Sequence, residues 1–206
     1  MAGPSLRPIS SRNHFFSFPW VVAPEKPQEK IALLLSDLTW NAYNSFGGGS
    51  NYIHPDHLPL RPTLNSRLEL ERYTDAEHLN YKTKGYDPLS LDRPEPINHI
   101  PEKVQVTDPI EGRAACHLAP AEWRLIGWLE RVAFTHDIFS ETQFHFGKLN
   151  LDDYEVLILG PHPEYWSKTM YQKLKHWIFE SSGRLMYLGG NGLNCEVEFV
   201  DEQTCL

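Results

Sequence analysis

The sequence predicts an α/β fold: a doubly wound, mostly parallel sheet carrying a long irregular insertion. Three observations predict it. Three short apolar runs, Ile31-Ala32-Leu33-Leu34-Leu35, Val156-Leu157-Ile158-Leu159 and Leu185-Met186-Tyr187-Leu188, each end in small or polar residues. Strands buried on both faces of a parallel sheet have that form. Two stretches elsewhere in the chain repeat apolar residues with helical period. Strand and helix patterns alternate, and right-handed crossovers wind such an alternation into a parallel sheet.

Taken in order, residues 1–29 are rich in Pro, Ser and aromatics without a period, and read as an N-terminal arm or loop. Residues 30–206 form the α/β domain. Its first strand is Ile31–Ser36. Residues 51–119 are the insertion, rich in proline and charge; a connection that long is usually functional, such as a lid or site loop, or else is partly disordered. A helix runs from Pro120, favoured at a first helical position, to about Val132 or Ala133. Trp123, Ile126, Gly127 and Glu130 share its inner face, and Trp128, Leu129 and Val132 widen it. Phe134–Phe139 reads as a short strand. Ser140-Glu141-Thr142-Gln143 has capping-box spacing and opens a short helix. Val156–Gly160 is the next strand.

Ser167 then caps a helix whose face is Met170, Leu174, Trp177, Ile178 and Ser181. Gly183 stands where a C′ glycine belongs. Arg184–Leu188 is a further parallel strand, ending in Gly189-Gly190-Asn191-Gly192. Glu196–Val200 alternates as an antiparallel edge strand would. A flavodoxin-like strand order sets the first strand beside the third, with their carboxyl ends at the crevice where such sheets bind ligands.

Composition excludes several classes. The formal net charge of -8 and the absence of a basic stripe argue against a nucleic-acid partner. No apolar run nears the roughly 20 residues that span a bilayer, and Met1–Trp20 lacks the apolar core of a secretory signal. Three cysteines, Cys116, Cys195 and Cys205, fit no disulfide framework or CxxC metal site, and point to reduced thiols in a cytoplasmic protein. Cys116 beside His117 makes a poor nucleophilic dyad, since sequence neighbours rarely point at each other.

The topology brings two turns together at strand carboxyl ends: Thr39-Trp40-Asn41-Ala42-Tyr43-Asn44, and His162-Pro163-Glu164-Tyr165-Trp166. His162 and Glu164 are two apart across a proline, so in extended conformation they point the same way. A carboxylate within reach of phenol and imidazole can hold a hard cation or move a proton. The same His and Glu could equally serve to start a helix, and Asn191 could merely supply a left-handed turn. The glycine cluster at 189–192 lacks the dinucleotide spacing and the Walker lysine. In class I glutamine amidotransferases, whose fold this pattern resembles, a nucleophilic Cys sits at an elbow after a central strand. The corresponding elbow here, Gly160-Pro161-His162-Pro163-Glu164, has no Cys or Ser, which favours metal or acid–base chemistry.

Four stretches carry a more specific resemblance. They are Thr39–Asn44 with Gly47-Gly48, Asp92-Arg93-Pro94, His162–Ser167 and Gly183–Gly192. Together, over roughly residues 30–195, the chain resembles the large (beta) subunit of N,N-dimethylformamidase and its relatives. That resemblance implies an amidotransferase-like α/β domain, from a family whose members also carry a lectin-like domain, so the chain is expected to be a fragment with an incomplete domain. It implies hydrolysis of a small linear amide such as N,N-dimethylformamide at a mononuclear Fe(3+). The ion, a hard Lewis acid held by two tyrosines and a glutamate, polarises the carbonyl and activates water. By resemblance the metal ligands are Tyr43, Glu164 and Tyr86, with Tyr52 and Tyr81 as alternatives to Tyr86. His162 becomes an acid–base or substrate-positioning residue, and Asn191 hydrogen-bonds substrate or water. The implied partners are the amide and either further copies of the chain or a small accessory subunit. A non-catalytic binding or structural remnant of the family is the alternative.

Overall fold

A computed structural model of the chain describes residues 19–44, 46, 50–51, 88–95, 98 and 117–206. Tyr52, Tyr81, Tyr86, Cys116 and most of the insertion lie outside the described residues.

Strand β1 (Ile31–Leu35) leads directly into helix α1 (Asp37–Tyr43). The segment 39–44, expected as a turn, is therefore largely helical. A short β2 (Leu89–Ser90) precedes helix α2 (Ala119–Arg131), strand β3 (Asp137–Ser140) and helix α3 (Glu141–His145). A 3-10 turn at Leu151–Asp153 leads to β4 (Val156–Leu159), then β5 (Tyr165–Ser167) and helix α4 (Lys168–Phe179). The chain ends in β6 (Arg184–Tyr187), β7 (Cys195–Val197), β8 (Phe199–Asp201) and β9 (Thr204–Cys205).

Four parallel strands form the main sheet, in the order β3-β1-β4-β6. The first expected strand lies beside the third, with Leu34 in register with Leu159. Central strands β1 and β4 bury nearly every side chain, as continuous apolar runs require. Strand β6, at the sheet edge, leaves all four residues exposed.

Local signals decide several ends. Ser140 Oγ accepts from Gln143 N at 3.2 Å, while Ser140 N donates to Gln143 Oε1 at 3.0 Å, the reciprocal capping box. Ser167 Oγ accepts from Met170 N at 3.2 Å and starts α4. Met170, Leu174 and Trp177 bury the inner face of that helix.

Four expectations need correction. On α2 the fully buried residues are Ala119, Pro120, Glu122 and Leu129, with Trp123 and Ile126 packed half-buried against the core as expected, whereas Trp128, Glu130 and Val132 are exposed. An inward acid is invisible to a count of apolar residues. The second strand begins at Asp137 rather than Phe134. At the end of α4, Ser182 rather than Gly183 takes the left-handed conformation. Gly183 is instead required by packing, because a Cβ there would lie 2.1 Å from the Trp177 ring. Residues 196–200 split at Glu198: β7 runs parallel to β5, and only β8, paired with β9, is antiparallel. Among the described residues, no helix is long and apolar enough to cross a membrane.

Candidate functional site

Two elbows, one after β1 and one after β4, build the site, because paired parallel strands deliver their carboxyl ends side by side. After β1, the first amides of α1 need acceptors. Glu122 Oε1 takes the Ser36 N–H at 2.9 Å and Glu141 Oε2 the Leu38 N–H at 3.3 Å. The far end of α1 is held by Arg93 and Pro94. The Arg93 guanidinium donates to Asn41 O at 2.7 Å and Asn41 Oδ1 at 2.8 Å, and Asn44 Nδ2 donates to Pro94 O at 3.0 Å. A cation on late helical carbonyls is favourable. Tyr43, the last residue of α1, is thereby fixed and only 4% exposed.

After β4, the elbow Gly160–Glu164 is tied to α1 through Thr39, whose Oγ1 accepts from Glu164 N at 3.1 Å and Tyr165 N at 3.4 Å. Glu164, 6% exposed, faces Tyr43. The Tyr43 hydroxyl donates to Glu164 Oε2 at 2.8 Å. His162 Nε2 lies 3.3 Å from the Tyr43 oxygen and 3.4 Å from Glu164 Oε2. Helix α4 starts at Ser167, so neither His162 nor Glu164 caps it.

The 189–192 loop closes over this pair. Asn191 Nδ2 donates to Glu164 Oε1 at 3.2 Å, and Asn191 N donates to His162 Nδ1 at 3.3 Å. With Nδ1 accepting, the ring proton is assigned to Nε2, which points at the Tyr43 and Glu164 oxygens. Burial holds His162 below the usual histidine range against the opposing pull of Glu164, so the ring is neutral near pH 7. Left-handed backbone falls on Gly189 and Gly190, not Asn191. At Gly190 a side chain is doubly refused: φ is +78, and a Cβ would lie 2.1 Å from Pro161 O and 2.7 Å from His162 Nδ1.

The structure thus brings Tyr43, His162, Glu164 and Asn191 together. Of the residues expected here, Tyr86 and its alternatives lie outside the described residues. Sequence reasoning weighed His117 only as the neighbour of Cys116 and set it aside, yet its ring meets Tyr43 edge-on at 5.1 Å and His162 at 4.3 Å. Glu122 was missed as well, and Thr39 was named only as part of its segment, with no role of its own. The acids around the base of α1 are unusual: burial pushes Glu122 up to about 8 and Glu95 up to about 7, and raises Glu141 and Asp37.

Chemically, the site offers a phenol and a carboxylate oxygen at hydrogen-bond distance, an imidazole N–H beside both, and an amide holding the second carboxylate oxygen. Among the described residues, no group of three His, Cys, Asp or Glu side chains is placed to hold a metal. Any ion here would rest on tyrosine oxygen as well as carboxylate.

Two comparisons bear on the chain. The family model for N,N-dimethylformamidase beta subunit-like proteins, C-terminal part, matches residues 6–205. The N,N-dimethylformamidase beta subunit of an Alcaligenes species is 33% identical over 85 residues, which is 41% of this chain and 11% of that protein.

Proposed function

The chain belongs to the N,N-dimethylformamidase beta subunit-like family, and we propose that it carries the site of an amide hydrolase acting on a small linear amide such as N,N-dimethylformamide. The amidotransferase-like, flavodoxin-like reading of the sheet belongs to this proposal, and the β3-β1-β4-β6 order supports it. The single observation that carries the proposal is the 2.8 Å approach of the Tyr43 and Glu164 oxygens. The two oxygens converge closely enough that one ion would reach both. Phenolate and carboxylate are hard donors, so the pair fits a mononuclear ferric ion, with Tyr86 as the proposed third ligand. When bound, such an ion supplies Lewis acidity to an amide carbonyl and to water.

The residues of the chain do the rest. Asn191 anchors Glu164 Oε1 and leaves Oε2 as the donor. His162 has its Nδ1 lone pair engaged by Asn191 N, so it works through its Nε2 proton. It donates to oxygens in the site and steadies negative charge there. That role is narrower than a general base, which would need Nδ1 free. Thr39 keeps the two elbows at one spacing. The name of the relative, a beta subunit, supports assembly with further copies or another subunit.

Reconstitution of the purified chain with Fe(3+) is expected to produce visible tyrosinate-to-iron absorbance, lost in Glu164→Gln. Failure to take up iron overturns the metal reading. A second reading is a non-catalytic binding domain of the same family. Iron-loaded protein that leaves formamide-type amides intact would select it.

A further inference from the structure

Glu122 of α2 lies below the site, 1% exposed. Its Oε1 accepts from Ser36 N, the first residue after β1, at 2.9 Å. The same carboxyl rests on Gly160, the first residue after β4, where a Cβ would come within 2.8 Å of Oε1 and 3.3 Å of Cγ. Strands β1 and β4 are direct neighbours. One side chain therefore touches both strand ends from which the elbows spring. Tyr43 follows Ser36 along a single short helix, and Glu164 follows Gly160 by four residues.

We propose that Glu122 is a positioning residue that locks the ends of β1 and β4 together and so sets the spacing of the Tyr43 and Glu164 oxygens. This rests on the reading of those two residues as a donor pair. The chemistry suits a neutral acid. The Ser36 hydroxyl and Trp40 indole N–H face the carboxyl closely enough to act on its ionisation, yet outside hydrogen-bond geometry. Burial dominates, the nearby Asp37 adds to it, and the group stays protonated to about pH 8. A neutral carboxylic acid accepts from Ser36 N with its carbonyl oxygen, as a glutamine amide does. Gly160 is small because the carboxyl occupies the volume a side chain would fill.

The test compares Glu122→Gln, Glu122→Ala and Gly160→Ala in the full chain. In metal-free protein, the Tyr43 hydroxyl proton, held by Glu164, is expected as a slowly exchanging downfield NMR resonance. Glu122→Gln retains it, and retains iron uptake with wild-type absorbance. Glu122→Ala and Gly160→Ala, folded by circular dichroism, lose the resonance and bind iron roughly tenfold more weakly. A folded Glu122→Ala with the wild-type resonance overturns the proposal, as does a Glu122→Gln as impaired as the alanine variant. Should Glu122→Ala not fold, Gly160→Ala decides, since it only pushes on the carboxyl. Should wild type bind no iron, the metal reading fails, while the hydroxyl resonance still judges Glu122.

Discussion

The Tyr43 hydroxyl and the Glu164 carboxylate meet at 2.8 Å although 121 residues separate them in sequence. Neither side chain reaches the other by local geometry. One is delivered by a helix clamped at both ends, the other by an elbow pinned to Thr39 and roofed by Asn191.

Tyr43→Phe removes the donor and conserves the ring. Glu164 keeps Asn191, so the expected loss is about 1.5–3 kcal/mol, the range for a hydrogen bond to a carboxylate. That corresponds to a fall in Tm of roughly 2–4 °C per kcal/mol for a chain of this size. Calorimetry of the metal-free protein measures it; an unchanged Tm would mean that the pair adds nothing to stability.

Gly190→Ala separates the loop backbone from its side chains. The new Cβ would meet Pro161 O and His162 Nδ1 on a backbone of positive φ, at an expected cost of roughly 1–3 kcal/mol. Asn191→Ala keeps the N–H on His162 and loses only the Glu164 contact, at about 1 kcal/mol. Chemical denaturation ranks the two. His162 ring nitrogen shifts should move in Gly190→Ala and stay in Asn191→Ala, and the reverse order would refute the assigned tautomer.

Glu122 gives stability a definite pH slope. Its carboxyl titrates near 8 in the folded chain, against an ordinary value of 4.5. Between those values the folded state holds a proton that the unfolded state has released, so stability is full below about 4.5 and falls as pH rises toward 8. Glu95, Glu141 and Asp37 are shifted in the same direction. Glu122→Gln has no proton to lose there, so its stability should fall less than wild type between pH 5 and pH 8. Parallel curves would place an ionised Glu122 in the native protein.

Much of the scaffold was legible. Ser140-x-x-Gln143 and Ser167 are local devices whose partners lie three residues away, so sequence spacing alone reveals them. The central strands were legible because both faces are buried. His162 and Glu164 were legible as a pair by their spacing, but the extended link expected between them is a tight γ-turn about Pro163, with Glu164 N donating to His162 O at 3.0 Å. Glu122 was not, since a polar residue turned inward breaks the pattern that marks an inner face. Gly183 was recognised as necessary for the wrong reason: the ring of Trp177, rather than a left-handed cap, excludes a side chain.

The sequence by itself determined the α/β class, the capped helices and the residue types at the two elbows, because these depend on periodicity and on contacts within a few residues. Only the tertiary structure decided that Tyr43 faces Glu164, that Asn191 holds both His162 and Glu164, that His117 packs on Tyr43 and His162, and that Glu122 touches both strand ends. Those contacts span 27 to 121 residues of sequence. They exist because paired parallel strands place sequence-distant carboxyl ends side by side, a consequence of strand order that no local pattern encodes.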